Sequence, residues 1–162
     1  MRKKVLVICL LALFMVSAIA REYEYANIPY GSSVEAVRKT FLAKGYTDMG
    51  YMAGVDAYIY SATIYDELAY FTCSFDDMGL CALRIDFPAA TTASPVFYAV
   101  LQMMSTKYGK PTDETQTWIL WNGDSTMAGI RTYDNASFDV EYYKTSYAQK
   151  LFNAQAQELK DF

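Results

Sequence analysis

The sequence predicts an α+β domain: two helix-plus-three-stranded antiparallel meander units forming one sheet, helices packed on one face, and a C-terminal helix. Three observations predict it. Apolar residues recur at helical spacing over residues 33–44 and again over 94–108, and a glycine follows each stretch. Three short runs rich in Tyr, Ile, Phe and Val follow each helix, separated by Asp, Asn and Gly turns. The 162 residues are 53% hydrophobic and 16% aromatic, which suits one well-filled core.

The first twenty residues read as an address. Arg2, Lys3 and Lys4 precede an unbroken apolar run over residues 5–16, and Ala18-Ile19-Ala20 has the small-x-small form of a cleavage site. We therefore expect a signal peptide over residues 1–20, cleaved after about Ala20, and a periplasmic or secreted domain over 21–162. The run falls short of the roughly 20 apolar residues that cross a bilayer, so no stable membrane insertion is expected after cleavage. Cys9 lies inside the run, not at its end, which argues against a lipid anchor.

The first unit spans residues 28–87. Ser32-Ser33-Val34-Glu35 reads as a capping box, and Val34, Val37, Phe41 and Leu42 form the stripe of a helix over 33–44. Gly45 suits a left-handed cap. Strands are expected over 57–65, 69–75 and 80–87. Asp76-Asp77-Met78-Gly79 joins the last two as a three-residue hairpin loop with a bulge. The second unit spans 94–143. Ser94 caps, Pro95 takes the first helical position, and Phe97, Val100, Leu101, Met104 and Tyr108 form the stripe. Strands follow over 117–121, 126–132 and 138–143, with a turn at Asn122-Gly123. Ser146 opens a closing helix over 146–159.

Alternation sorts the strands into two faces. Phe71, Cys73 and Phe75 point one way, matched by Cys81, Leu83, Ile85 and Phe87, then by Phe138, Val140 and Tyr142. The other face carries Tyr70, Thr72, Ser74, Arg84 and Asp86, then Arg131, Asp139, Glu141 and Tyr143.

Three segments carry a resemblance. Ile28-Pro29-Tyr30-Gly31-Ser32-Ser33-Val34-Glu35-Ala36-Val37 is similar to the Gly-[Ser/Thr]-x-x-x-Val helix opening of small exported bacterial proteins, the SmpA/OmlA and β-lactamase-inhibitor-protein-like group. Phe75-Asp76-Asp77-Met78-Gly79-Leu80 resembles that group's hairpin, and Tyr108-Gly109-Lys110-Pro111 with Trp118 resembles its Gly-x-Pro…Trp step. The resemblance implies a non-enzymatic binding or assembly module of the envelope.

Composition excludes several functions. The chain has no histidine, which removes Ser-His-Asp and Cys-His catalysis and His-based zinc sites. The acid pairs Asp66-Glu67, Asp76-Asp77 and Asp113-Glu114 read as turn formers, and no D-x-D-x-D-G run exists to bind calcium. Neither metal, cofactor nor catalytic residue is assigned. Three of the 14 basic residues lie in the first twenty, leaving 11 against 18 acidic residues, a balance of −7. Nucleic acid is thus a poor partner, and another envelope or secreted protein the expected one.

The expected binding surface is an exposed aromatic sheet face: Tyr58, Tyr60 and Trp121 as anchors with Arg84 and Arg131 beside them. The alternative is a periplasmic glycan-binding protein or a hydrolase using carboxylates and Tyr, with Asp86, Asp139 and Glu141 sharing the open sheet face with Arg84 and Arg131. That chemistry needs a pocket holding two facing carboxyls. A small-ligand carrier would instead need an apolar cavity between helices and sheet. Two readings stand for Cys73 and Cys81. Export favours a disulfide, but the hairpin places Cys73 opposite Leu83 and Cys81 opposite Phe75, so that only a register shift brings the two sulfurs together. Otherwise both are buried thiols.

Overall fold

Local chemistry sets where the chain turns. A computed structural model describes residues 22–158, without the side chains of 152 and 154–158. The expected signal peptide, its cleavage site and Leu159 lie outside the described residues. Helix α1 (Val34–Ala43) is capped by Ser33, whose Oγ accepts from the Ala36 N–H at 3.3 Å. The cap therefore sits one residue later than the expected box, while the Ser32 hydroxyl donates to the Pro29 carbonyl. At the other end Gly45 has φ +81°. Its N–H donates to the Leu42 carbonyl, and the Tyr46 N–H donates to the Phe41 carbonyl. The Tyr46 ring also packs on Phe41 at 5.0 Å. This double bond with its apolar contact turns the chain directly into a strand.

That strand, β1 (Thr47–Met52), is absent from the sequence expectation. Asp48 and Gly50 disfavour a strand, and a bulge between them breaks the period-2 pattern. Then come β2 (Ala57–Ile64), β3 (Glu67–Asp76), β4 (Gly79–Asp86), α2 (Pro95–Tyr108), β5 (Asp113–Glu114), β6 (Trp118–Asn122), β7 (Thr126–Thr132), β8 (Phe138–Lys144) and α3 (Thr145–Glu158). Asp113-Glu114, expected to be only a turn, is a short edge strand. The result is an α+β fold: one eight-stranded antiparallel sheet of order β1-β2-β3-β4-β8-β7-β6-β5, with β4 and β8 meeting at its centre. Each half thus holds four strands, not three.

The β3–β4 turn is tighter than expected. Asp76 pairs with Gly79, leaving two loop residues, and the bulge falls instead at Cys81. Gly79 has φ +100°, and a Cβ there would lie 2.3 Å from the Gly31 carbonyl oxygen. This contact lets Leu80 exchange backbone hydrogen bonds with Gly31 and Ser32 and fastens the hairpin to the entry of α1.

The core lies between the first sheet face and helices α1 and α2. Val37 and Phe41 from α1, and Val96, Val100 and Met104 from α2, are buried with Phe71, Leu83, Ile130 and Tyr142 of the sheet. The segment before α1 belongs to this core as well. Tyr23 and Ile28 are buried, and Lys107 and Tyr108 both donate to the Glu24 carbonyl. Helix α3 lies on the opposite face, with Ala148 and Leu151 against residues of β6, β7 and β8. None of the described helices is long and apolar enough to cross a membrane.

Candidate functional site

Antiparallel register places directly opposed residues on one face. The second face therefore carries two cross-strand rows. One runs Ser61, Tyr70, Asp86, Asp139, Arg131, Trp118, and the other Ile59, Thr72, Arg84, Glu141, Gly129, Leu120. The alternation read from the sequence puts Arg84, Asp86, Arg131, Asp139 and Glu141 together, and the register does so too. The opposed rows on the helix side hold Tyr58 and Tyr60.

The expected aromatic anchors are therefore corrected. Tyr60 is fully buried against Phe41, and Trp121 is fully buried with its Nε1–H donating to the Gly109 carbonyl. Tyr58 lies on the same side, packed on Tyr51 and Phe75. Only Arg84 and Arg131 of the five reach the second face. Trp118, not Trp121, is the tryptophan there. Its distance in sequence from Trp121 marks the two as facing opposite ways but leaves open which one faces the helices.

The cysteines are buried free thiols. Cys73 pairs with Leu83 as expected, but the bulge carries Cys81 out of register. Its thiol donates to the Ser74 carbonyl at 3.3 Å. Burial pushes Cys73 up to about 12 and Cys81 up to about 11, so neither is a nucleophile at neutral pH.

The charged cluster is unevenly satisfied. Arg84 Nε lies 3.0 Å from Asp86 Oδ2, and the Tyr133 hydroxyl donates to Asp139 Oδ2 at 2.6 Å. Arg131 is spread over two rings, 5.4 Å from the Trp118 centroid and 4.9 Å from that of Tyr133. Its Nη1 stands 3.9 Å from Glu141 Oε1, an ion pair without a hydrogen bond. Asp139 and Glu141 are each only 2% exposed, and Asp139 Oδ1 and Glu141 Oε2 have no hydrogen-bond partner. Burial raises Asp139 above its usual range against the opposing pull of Tyr133, Arg84 and Arg131. Burial, reinforced by the Asp139 charge, pushes Glu141 up to about 7.

Beside Glu141 lies a cavity of about 280 Å³ under α3. Trp118, Leu120, Met127, Arg131 and Tyr143 form its sheet wall with Glu141, and Ala148 and Leu151 close it from the helix. Gly129, directly opposite Glu141, shapes it: a Cβ there would lie 2.8 Å from Leu120 Cδ2 and 3.2 Å from the Trp118 ring. The cavity contains one carboxyl. Asp139 does not line it.

An apolar cavity of about 420 Å³ also exists on the helix side, between α2 and the sheet, beside Tyr25, Ile64, Met103 and Tyr142. Its Tyr25 hydroxyl is bonded to that of Tyr46 at 2.6 Å. Among the described residues, none of the buried polar side-chain atoms left without a partner belongs to its lining. Of the four such atoms among the described residues, the Tyr30 and Tyr60 hydroxyls belong to the helix-side core, and the two carboxylate oxygens, of Asp139 and Glu141, lie on the second face. No family model matches the chain, and comparisons with curated proteins and with solved structures give no match.

Proposed function

We propose that the chain is an exported, non-catalytic binding module of the bacterial envelope that acts through the second face of its sheet, with another envelope or secreted protein as partner. One observation carries this reading: two buried carboxylates, Asp139 and Glu141, keep an unpartnered oxygen each beside Arg84, Arg131 and Trp118. Orphaned buried acceptors cost about 1–3 kcal/mol each, a cost that a donor arriving from outside removes. Arginine and tryptophan are also the residues that most often anchor interfaces. A hydrolase would need both carboxyls in one cavity, whereas Tyr133 holds Asp139 apart from the one Glu141 lines. Export rests on the charged and apolar pattern of residues 1–20. The same reading takes the two halves, each a helix followed by strands, as related units joined at β4 and β8.

The test is capture from envelope extract by the tagged chain, run beside a variant carrying Arg84→Ser and Trp118→Ser. A protein held by the first and lost by the second supports the reading. Equal capture by both rejects this face. The mass of the exported chain checks cleavage after Ala20.

A further inference from the structure

The cavity under α3 is lined for a particular kind of guest. We propose that it binds an alkylammonium group, from a partner's lysine side chain or from a free amine of similar length, with Glu141 as counter-ion. This rests on the sheet-face reading above and names the chemistry of its partner.

Glu141 Oε2 is buried, borders the cavity and lacks a donor. The Tyr143 hydroxyl, which also borders the cavity, favours the ionised acid, but no hydrogen bond reaches Oε2. Arg84 is committed to Asp86 at 3.0 Å, and Arg131 sits over two rings, 3.9 Å from the other Glu141 oxygen. The sign of the missing donor follows from the charges. Asp86, Asp139 and Glu141 face two guanidinium groups, which leaves one negative charge uncompensated when all are ionised. The lining determines the rest of the guest. Trp118, Leu120, Met127 and Leu151 offer apolar contact, and beside Glu141 only Arg131 and Tyr143 of the lining carry polar side chains apart from the Trp118 indole, fewer partners than a ring of hydroxyls needs, so an aliphatic stem fits better than a sugar. At about 280 Å³ the cavity holds roughly nine water-sized groups of about 30 Å³, enough for a four-carbon stem and its ammonium. An inorganic cation is a poor fit: among the described residues no three acidic or thiol side chains converge on one point.

The test titrates the ¹⁵N-labelled chain with n-pentylammonium, 1-pentanol and a Gly-Lys-Gly peptide, following backbone amide shifts. The expected result is saturable binding of pentylammonium centred on Leu120, Met127 and Glu141, with pentanol at least tenfold weaker. Glu141→Gln then weakens pentylammonium at least tenfold and leaves pentanol unchanged. Ala148→Leu, which fills the cavity from α3 with Glu141 in place, abolishes binding of both. The same shifts with the peptide assign the site to lysine side chains, and a silent peptide assigns it to free amines. Pentanol binding as tightly as pentylammonium, or an unaffected Glu141→Gln variant, overturns the proposal. A captured partner that needs Arg84 and Trp118 but survives both Glu141→Gln and excess pentylammonium overturns it too, while leaving the sheet-face reading intact. Ammonium binding without any such partner does the reverse.

Discussion

Glu141→Gln makes a quantitative test of the buried acid. The folded chain holds the Glu141 proton up to about pH 7, against 4.5 for an ordinary glutamate. At about 1.4 kcal/mol for each unit of pH, that gap corresponds to about 3 kcal/mol. The sign follows from which state binds the proton more tightly. Below pH 4.5 both states are protonated and the contribution is fully present. Between 4.5 and about 7 the unfolded chain ionises while the folded chain resists, so stability falls as pH rises, and above about 7 the loss is complete. Glutamine cannot ionise, so the variant lacks this slope. Asp139 is present in both proteins, so its own raised titration largely cancels in the difference. Urea unfolding followed by circular dichroism at pH 4.5, 5.5, 6.5, 7.5 and 8.5 measures it. The stability of the wild type minus that of the variant is expected to drop by about 3 kcal/mol across that series. A difference that stays flat, or rises with pH, would refute the burial argument for Glu141.

Other consequences are simpler to check. Phe41→Ala removes a fully buried ring that packs on Tyr25, Tyr46, Tyr60 and Phe71, and should cost about 3–5 kcal/mol in urea unfolding. Gly79→Val places a side chain at φ +100° and 2.3 Å from the Gly31 carbonyl, so the positive φ alone should cost about 1–3 kcal/mol, and a wild-type unfolding midpoint would contradict the tight turn. Cys73 and Cys81 should react with a thiol reagent only after denaturant is added, because both are buried and burial raises both thiols. An absence of thiols in the unfolded, unreduced protein would instead establish the disulfide.

What could be read from the sequence was whatever depends on near neighbours. Gly45 and Gly109 end α1 and α2 as their positions after apolar stripes imply, and both have φ above +80°. Strand parity placed Arg84, Asp86, Arg131, Asp139 and Glu141 on one face because the side-chain period of a strand is fixed. The failures share one cause, dependence on a distant partner. β1 forms because β2 offers it an edge, even though Asp48 and Gly50 argue against a strand. Cys81 leaves its register because a bulge between Ser74 and Phe75 absorbs one residue. Tyr58 and Tyr60 face the helices because Cys73 and Phe71 do, and tyrosine suits either side of a sheet. The cavity was hidden for the same reason: α3 closes it from above.

The position of the charges makes an argument of its own. Arg84 lies opposite Glu141, and Asp86 opposite Asp139, where the two halves of the sheet join. A central seam is flanked by strands on both sides, so its side chains lose water that an edge strand would keep. On β7 Arg131 lies opposite Asp139 and Gly129 opposite Glu141, and α3 closes over the glutamate. Buried acids in such a place contribute little to folding, since apolar side chains of similar volume usually pack there at lower cost. Part of that cost is offset by Tyr133 on Asp139 and by the nearby arginines, but one oxygen of each acid remains unmet. A seam optimised only for stability would have no reason to leave them so. Their pairing across β4 and β8 makes the charged cluster a property of the joined halves, whereas the cavity beside Glu141 is lined by residues 118–151 of the second half alone.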